Sequence, residues 1–144
     1  MKTTAKWVSE NNYILNNSKY LNIAISDPEN RQENYEVNCL DLVLMGLAGC
    51  VAAEFKKQLC SHKILLKGIE TDVEILPLQN MHPNFTIHIT CKVKSNAKVE
   101  YLQKCLFKAI DSSFLGILLQ KAGINIESDI IAESLVQYAE NYVS

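Results

Sequence analysis

The 144 residues carry 14 Lys and Arg against 16 Asp and Glu, a formal net charge of −2, and 48% of them are hydrophobic, enough apolar material for one compact domain spanning 1–144. The lysines are scattered, with no cluster longer than Lys56-Lys57, so nothing marks a surface for nucleic acid or an anionic membrane. The longest apolar stretch, 42–53, is shorter than the roughly 18 residues of a spanning helix, and MKTTAKW lacks the apolar core of a secretory signal; a cytoplasmic location without a membrane partner is expected.

Five cysteines, at 39, 50, 60, 91 and 105, form no CxxC pair and no zinc-knuckle spacing. In a reducing compartment they are expected as free thiols, with no metal or other cofactor.

Segments 6–8, 13–15 and 21–25 are short and rich in aromatic and β-branched residues, and Asn11-Asn12 and Asn16-Asn17 break them into the strands of a small meander. The polar, aperiodic run DPENRQENYE after them reads as an exposed loop, closing an N-terminal section at 1–37. Asn38 is a good N-cap, and Asp41, three residues on, can answer the free N–H groups of a helix start. That central helix is predicted over 38–61, apolar nearly all round in its first half and wet in its second, at Glu54, Lys56, Lys57 and Gln58.

Period-two alternation then predicts a long antiparallel hairpin within 66–94: Ile69, Thr71, Val73 and Ile75 on one side, and Phe85, Ile87, Ile89, Cys91 and Val93 on its partner. A second helical region is predicted over 98–122, bent near Asp111-Ser112-Ser113 and stopped by Gly123. A last strand at 123–131 and a tail at 132–144, helical in its amphipathic part, complete an α+β domain with helices on one face of a mostly antiparallel sheet. The central helix is too apolar for one small sheet to cover, so burial against a second copy in a homodimer is expected.

The stretch NCLDLVLMGLAGC resembles the first motif of the OsmC/Ohr superfamily, the osmotically inducible and organic hydroperoxide resistance proteins. There a run of the type small-Pro-x-Glu-Leu-Leu-Leu-small-small-Leu-Gly-Gly-Cys opens the central helix, and its cysteine falls on Cys50. The resemblance takes in the Trp7 strand, the 69–93 hairpin and Leu119-Gln120-Lys121-Ala122 with the isoleucine-rich strand after it. It implies an intertwined OsmC-like homodimer with sites at the subunit interface, where a cysteine thiolate attacks an organic hydroperoxide and a second cysteine resolves the sulfenic acid.

Four positions depart from the pattern. Ser113 stands where the family has its resolving cysteine, and the only arginine, Arg31, lies in the polar loop rather than in an N-terminal strand. Asp41 replaces the family glutamate, one methylene shorter, and Cys39 the proline two residues before it. The candidate catalytic set is therefore Cys50, Asp41, Ser113 and Arg31, in a one-cysteine hydroperoxide reductase served by an external thiol reductant. The alternative is a dimer without peroxidase chemistry that binds a small apolar ligand or serves in regulation.

Each candidate also has a plainer role. Cys50 can be a small core filler, and Asp41 a helix-start carboxylate, about 13 Å along the axis from Cys50 at about 1.5 Å per residue. Cys91 faces the core of its strand, whereas Cys60 and Cys105 are the thiols available to replace the missing resolving cysteine. His62, His82 and His88 are expected at solvated surface.

Overall fold

The computed structural model describes residues 2–9, 12–19, 21–26, 37–76 and 85–135, so Arg31, His82 and the 136–144 part of the expected tail lie outside the described residues. The chain divides into two compact units, Met1–Met45 and Gly46–Ser144.

In the first unit the predicted meander forms as β1 (Thr4–Ser9), β2 (Asn12–Asn16) and β3 (Asn22–Ser26), each antiparallel to the next, with Trp7 opposite Tyr13 and Tyr13 opposite Ile25. The asparagines turn the chain as their chemistry allows: Asn17 Oδ1 accepts from the backbone N–H of Lys19 at 3.1 Å and of Leu21 at 3.2 Å. A short β4 (Val37–Asn38) pairs parallel with β3, placing residue 37 in a strand and not in the loop expected up to it. Two residues are too few to display a period, so only the pairing reveals them.

The helix α1 (Cys39–Ser61) starts within the first unit and continues through the second. Its residues Leu47, Val51, Phe55 and Leu59, spaced four apart, are wholly buried, the stripe by which a helix enters a core. The rest of that core comes from Ile87, Ile89, Cys91 and Val93 of β6 (Thr86–Ser95) and from Leu102, Cys105, Leu106, Ala109 and Ile110 of α2 (Val99–Ser112).

The strand β5 (Leu66–Leu76) runs antiparallel to β6, with Val73 opposite Ile89 and Thr71 opposite Cys91, as the alternation predicts. A register shift between Leu66 and Gly68 leaves Lys67 as the extra residue of a bulge. The last strand, β7 (Asn125–Ser134), pairs parallel with β6, and α2 with α3 (Phe114–Lys121) supplies the long crossover that a parallel pair requires. The α+β class stands, with the strands in two sheets, β1-β2-β3-β4 and β5-β6-β7.

β7 runs three residues beyond the predicted end at 131, into the expected tail. Ala132, Glu133 and Ser134 have weak strand preference, but they lie opposite Val93, Lys94 and Ser95, and Glu133 meets Lys94 at 3.3 Å. Pairing with a strand already in place overrides local preference here.

The outer face of this sheet is a ladder of charges. Lys92 bridges Glu70 at 2.9 Å and Asp72 at 3.1 Å. His88, expected at solvated surface, is instead half-buried and joins three strands: Nε2 meets Asp129 of β7 at 2.8 Å and Nδ1 meets Glu74 of β5 at 3.4 Å. The hydrogen bond to Asp129 raises the His88 pKa above its usual value, burial opposes this, and Glu74 adds to it.

Helix α3 ends at Gly123, whose φ of +80° suits a residue without a Cβ. The Gly123 N–H donates to the Gln120 carbonyl and the Ile124 N–H to the Leu119 carbonyl, both at 3.0 Å, the paired bonds of a Schellman stop.

Candidate functional site

The site is built outward from α1. At its start Asn38 and Asp41 close a reciprocal capping box: the Asp41 N–H donates to Asn38 Oδ1 at 2.8 Å, and the Asn38 N–H donates to Asp41 Oδ2 at 3.0 Å. Both polar side chains thereby satisfy the exposed end of the helix. Because α1 is continuous from Cys39 to Ser61, the nine-residue rise keeps Asp41 about 13 Å along the axis from Cys50.

Cys50 lies near the middle of α1, half-buried, with its thiol free. One turn before it Gly46 faces α3: a Cβ added there would lie 3.1 Å from Leu115 Cδ1. One turn after it comes Glu54, whose Cβ on a regular helix is about 5–6 Å from that of Cys50. Glu54 is itself tied to Lys57 at 3.7 Å and to Gln58 at 3.5 Å. Glu54 and Lys57 therefore continue the helix face of Cys50 toward the C-terminus. Lys57, 77% exposed, faces water as expected, whereas Glu54, 21% exposed, is half-buried, and its helical offset of four is the signal that places it one turn from Cys50. Gly49, beside Cys50 in sequence, has open space where a Cβ would stand.

Ser113 separates α2 from α3 with extended backbone, φ −73° and ψ 141°. Its hydroxyl donates to the Ile110 carbonyl at 3.1 Å and accepts from the Gly116 N–H at 3.2 Å, so it is the N-cap of α3. Gly116 fits tightly against this cap, since an added Cβ would stand 2.2 Å from the Ile110 carbonyl oxygen. At only 4% exposure, Ser113 is a buried structural hydroxyl.

The other thiols separate by environment. Cys91 is buried against Thr71 Oγ1 at 3.6 Å, and burial pushes its pKa up, which favours the unreactive thiol. Cys105 is buried in α2 beside Tyr101, whose hydroxyl is sealed from solvent without a hydrogen bond among the described residues. Burial and the Cys105 thiol raise the Tyr101 phenol pKa. Cys60 is exposed, but ten residues along the same helix place it about 15 Å from Cys50, beyond the roughly 7 Å Cα separation a disulfide tolerates. Within one chain Cys60 cannot resolve Cys50. His62 ends α1 near the Tyr101 ring, with centroids 5.7 Å apart.

Cys50 thus stands midway along a long central helix, on an α+β frame whose second sheet is completed by a returning parallel strand. A family model described as OsmC-like protein matches residues 32–129, and the chain belongs to the OsmC-like family. Solved structures agree on the fold. An OsmC-like protein from Mycoplasma pneumoniae superposes with a TM-score of 0.73 at 13% identity, over 92% of this chain and 95% of that one. An organic hydroperoxide resistance protein OsmC from Legionella pneumophila gives 0.65 at 15% identity, over 92% and 97%. The organic hydroperoxide resistance protein OhrB of Bacillus subtilis gives 0.64 at 16%, over 90% and 96%. No curated protein matches the sequence. Among the described residues no helix is long and apolar enough to cross a membrane.

Proposed function

We propose that this protein is a one-cysteine hydroperoxide reductase of the OsmC-like family, acting in the cytoplasm as a homodimer through Cys50. The observation that carries the reading is the position of Cys50: it stands where the motif that NCLDLVLMGLAGC resembles has its cysteine, and it is half-exposed where Cys91 and Cys105 are sealed. The Cys50 thiolate attacks the outer oxygen of an organic hydroperoxide, the O–O bond breaks, and the departing alkoxide takes a proton and leaves as the alcohol. Cys50 is left as a sulfenic acid. An external thiol then forms a mixed disulfide with it and releases water, and a second thiol returns Cys50 to the thiolate. The serine at 113 and the reach of Cys60 both support an external reductant.

In this scheme Asp41 and Ser113 cap the starts of α1 and α3, their hydrogen bonds committed to the fold. Arg31 is the candidate cation for activating the thiol, as a cation does near a reactive cysteine. Peroxide consumption tests it: Arg31→Gln is expected to slow the Cys50-dependent rate, and an unchanged rate removes Arg31 from the site. The reaction itself is tested by peroxide loss with excess dithiol, compared with Cys50→Ser.

A further inference from the structure

A groove of about 420 Å³ runs between the second half of α1 and the start of β5, within the size range of small-molecule sites. Ala52 and Ala53 form its α1 wall and Gly68 and Ile69 its β5 wall, so the floor is apolar and shallow-sided. Two cations rim it, Lys56 from α1 and Lys67 from β5. Neither makes an ion pair with a described residue, whereas the neighbouring Lys57 is held by Glu54 and the sheet lysines Lys92 and Lys94 are held by carboxylates.

Lys67 owes its place to the β-bulge. A regular strand would carry it opposite a residue of β6, but the register passes from Leu66–Ser95 directly to Gly68–Lys94, and the unpaired extra residue is re-aimed. Two unmatched positive charges over an apolar trough call for an occupant with the complementary distribution: an apolar chain ending in an anionic group.

We infer that this groove binds a small amphipathic anion, its chain along Ala52, Ala53 and Ile69 and its carboxylate or phosphate between Lys56 and Lys67. Ala52 and Lys56, two and six residues beyond Cys50, stand well round the helix from it at about 3.6 residues per turn, so the groove is separate from the thiol. The inference goes beyond the reductase reading and does not need Cys50 to be reactive.

Calorimetric titration of the full-length Cys50→Ser protein, in which no thiol chemistry occurs at this position, tests it with decanoate, decyl phosphate and decanol below their aggregation concentrations. At least one anion is expected to bind more tightly than decanol, and the stronger of the two names the head group. Lys56→Gln and Lys67→Gln are each expected to weaken it by about threefold, the scale of an exposed ion pair, and leave decanol unchanged. Ala53→Leu, which fills the trough, is expected to weaken all three. Both lysines are exposed, so the fold tolerates their loss. Absence of anion binding, anion binding indifferent to both lysines, or equal affinity for decanol would overturn the inference. A negative peroxide assay with lysine-dependent anion binding intact would remove the reductase reading alone.

Discussion

Among the described residues, Asp41 and Ser113 are the members of the candidate catalytic set beside Cys50, and both have their hydrogen bonds committed to helix starts. Losing an N-cap partner costs about 0.5–2 kcal/mol, so Asp41→Ala and Ser113→Ala are each expected to lower stability in urea unfolding by that amount. Neither is expected to change the alkylation rate of Cys50; a change would give the residue a part in the site. The Asn38–Asp41 box was legible in the sequence because a cap spans three residues and needs nothing else. Ser113 was placed correctly at the bend, but its role was hidden, since a serine becomes a cap only once the chain has chosen where α2 stops. A hydropathy pattern places Glu54 in solvent, because its partial burial depends on how α1 packs in the finished fold.

Within the sheet, His88 couples β6 to both neighbours through Glu74 and Asp129. A histidine whose pKa is raised on folding contributes stability that is fully present below its unfolded value of about 6.5 and is lost as pH rises through the higher folded value. Urea midpoints are therefore expected to fall between pH 6 and pH 8 in the wild type and to stay flatter over that range in His88→Gln. Equal slopes in the two proteins would show that His88 does not tie the strands. At the α2–α3 junction, Gly116→Ala is expected to cost about 1–3 kcal/mol by overpacking against the Ile110 carbonyl, measured as a lowered unfolding midpoint. Strand order and face were readable where alternation was clean, as in β5 and β6. The parallel β4 and the last three residues of β7 were not, because they exist through pairing with distant strands.

For the molecule as a whole, the apolar side chains left in the open set the expectation. Phe114 is 71% exposed and Phe107 52%, both on the unit that carries Cys50. Aromatic side chains at that exposure are suited to an interface between two copies. Light scattering after size exclusion is expected to give the mass of a dimer, and Phe114→Glu to shift it toward the monomer; a monomeric wild type would remove the dimer from the proposal. The family was legible in one 13-residue motif, because a buried thiol helix with small residues before the cysteine is a demanding local pattern. What packs against the helix was not, because the approach of Leu115 to Gly46 and the bulge at Lys67 depend on the finished fold. The most direct test of Cys50 is stopped-flow consumption of cumene hydroperoxide with excess dithiothreitol. Turnover in the wild type that falls to the uncatalysed rate in Cys50→Ser is the expected result, and equal rates in the two proteins would contradict the assignment of Cys50 as the nucleophile.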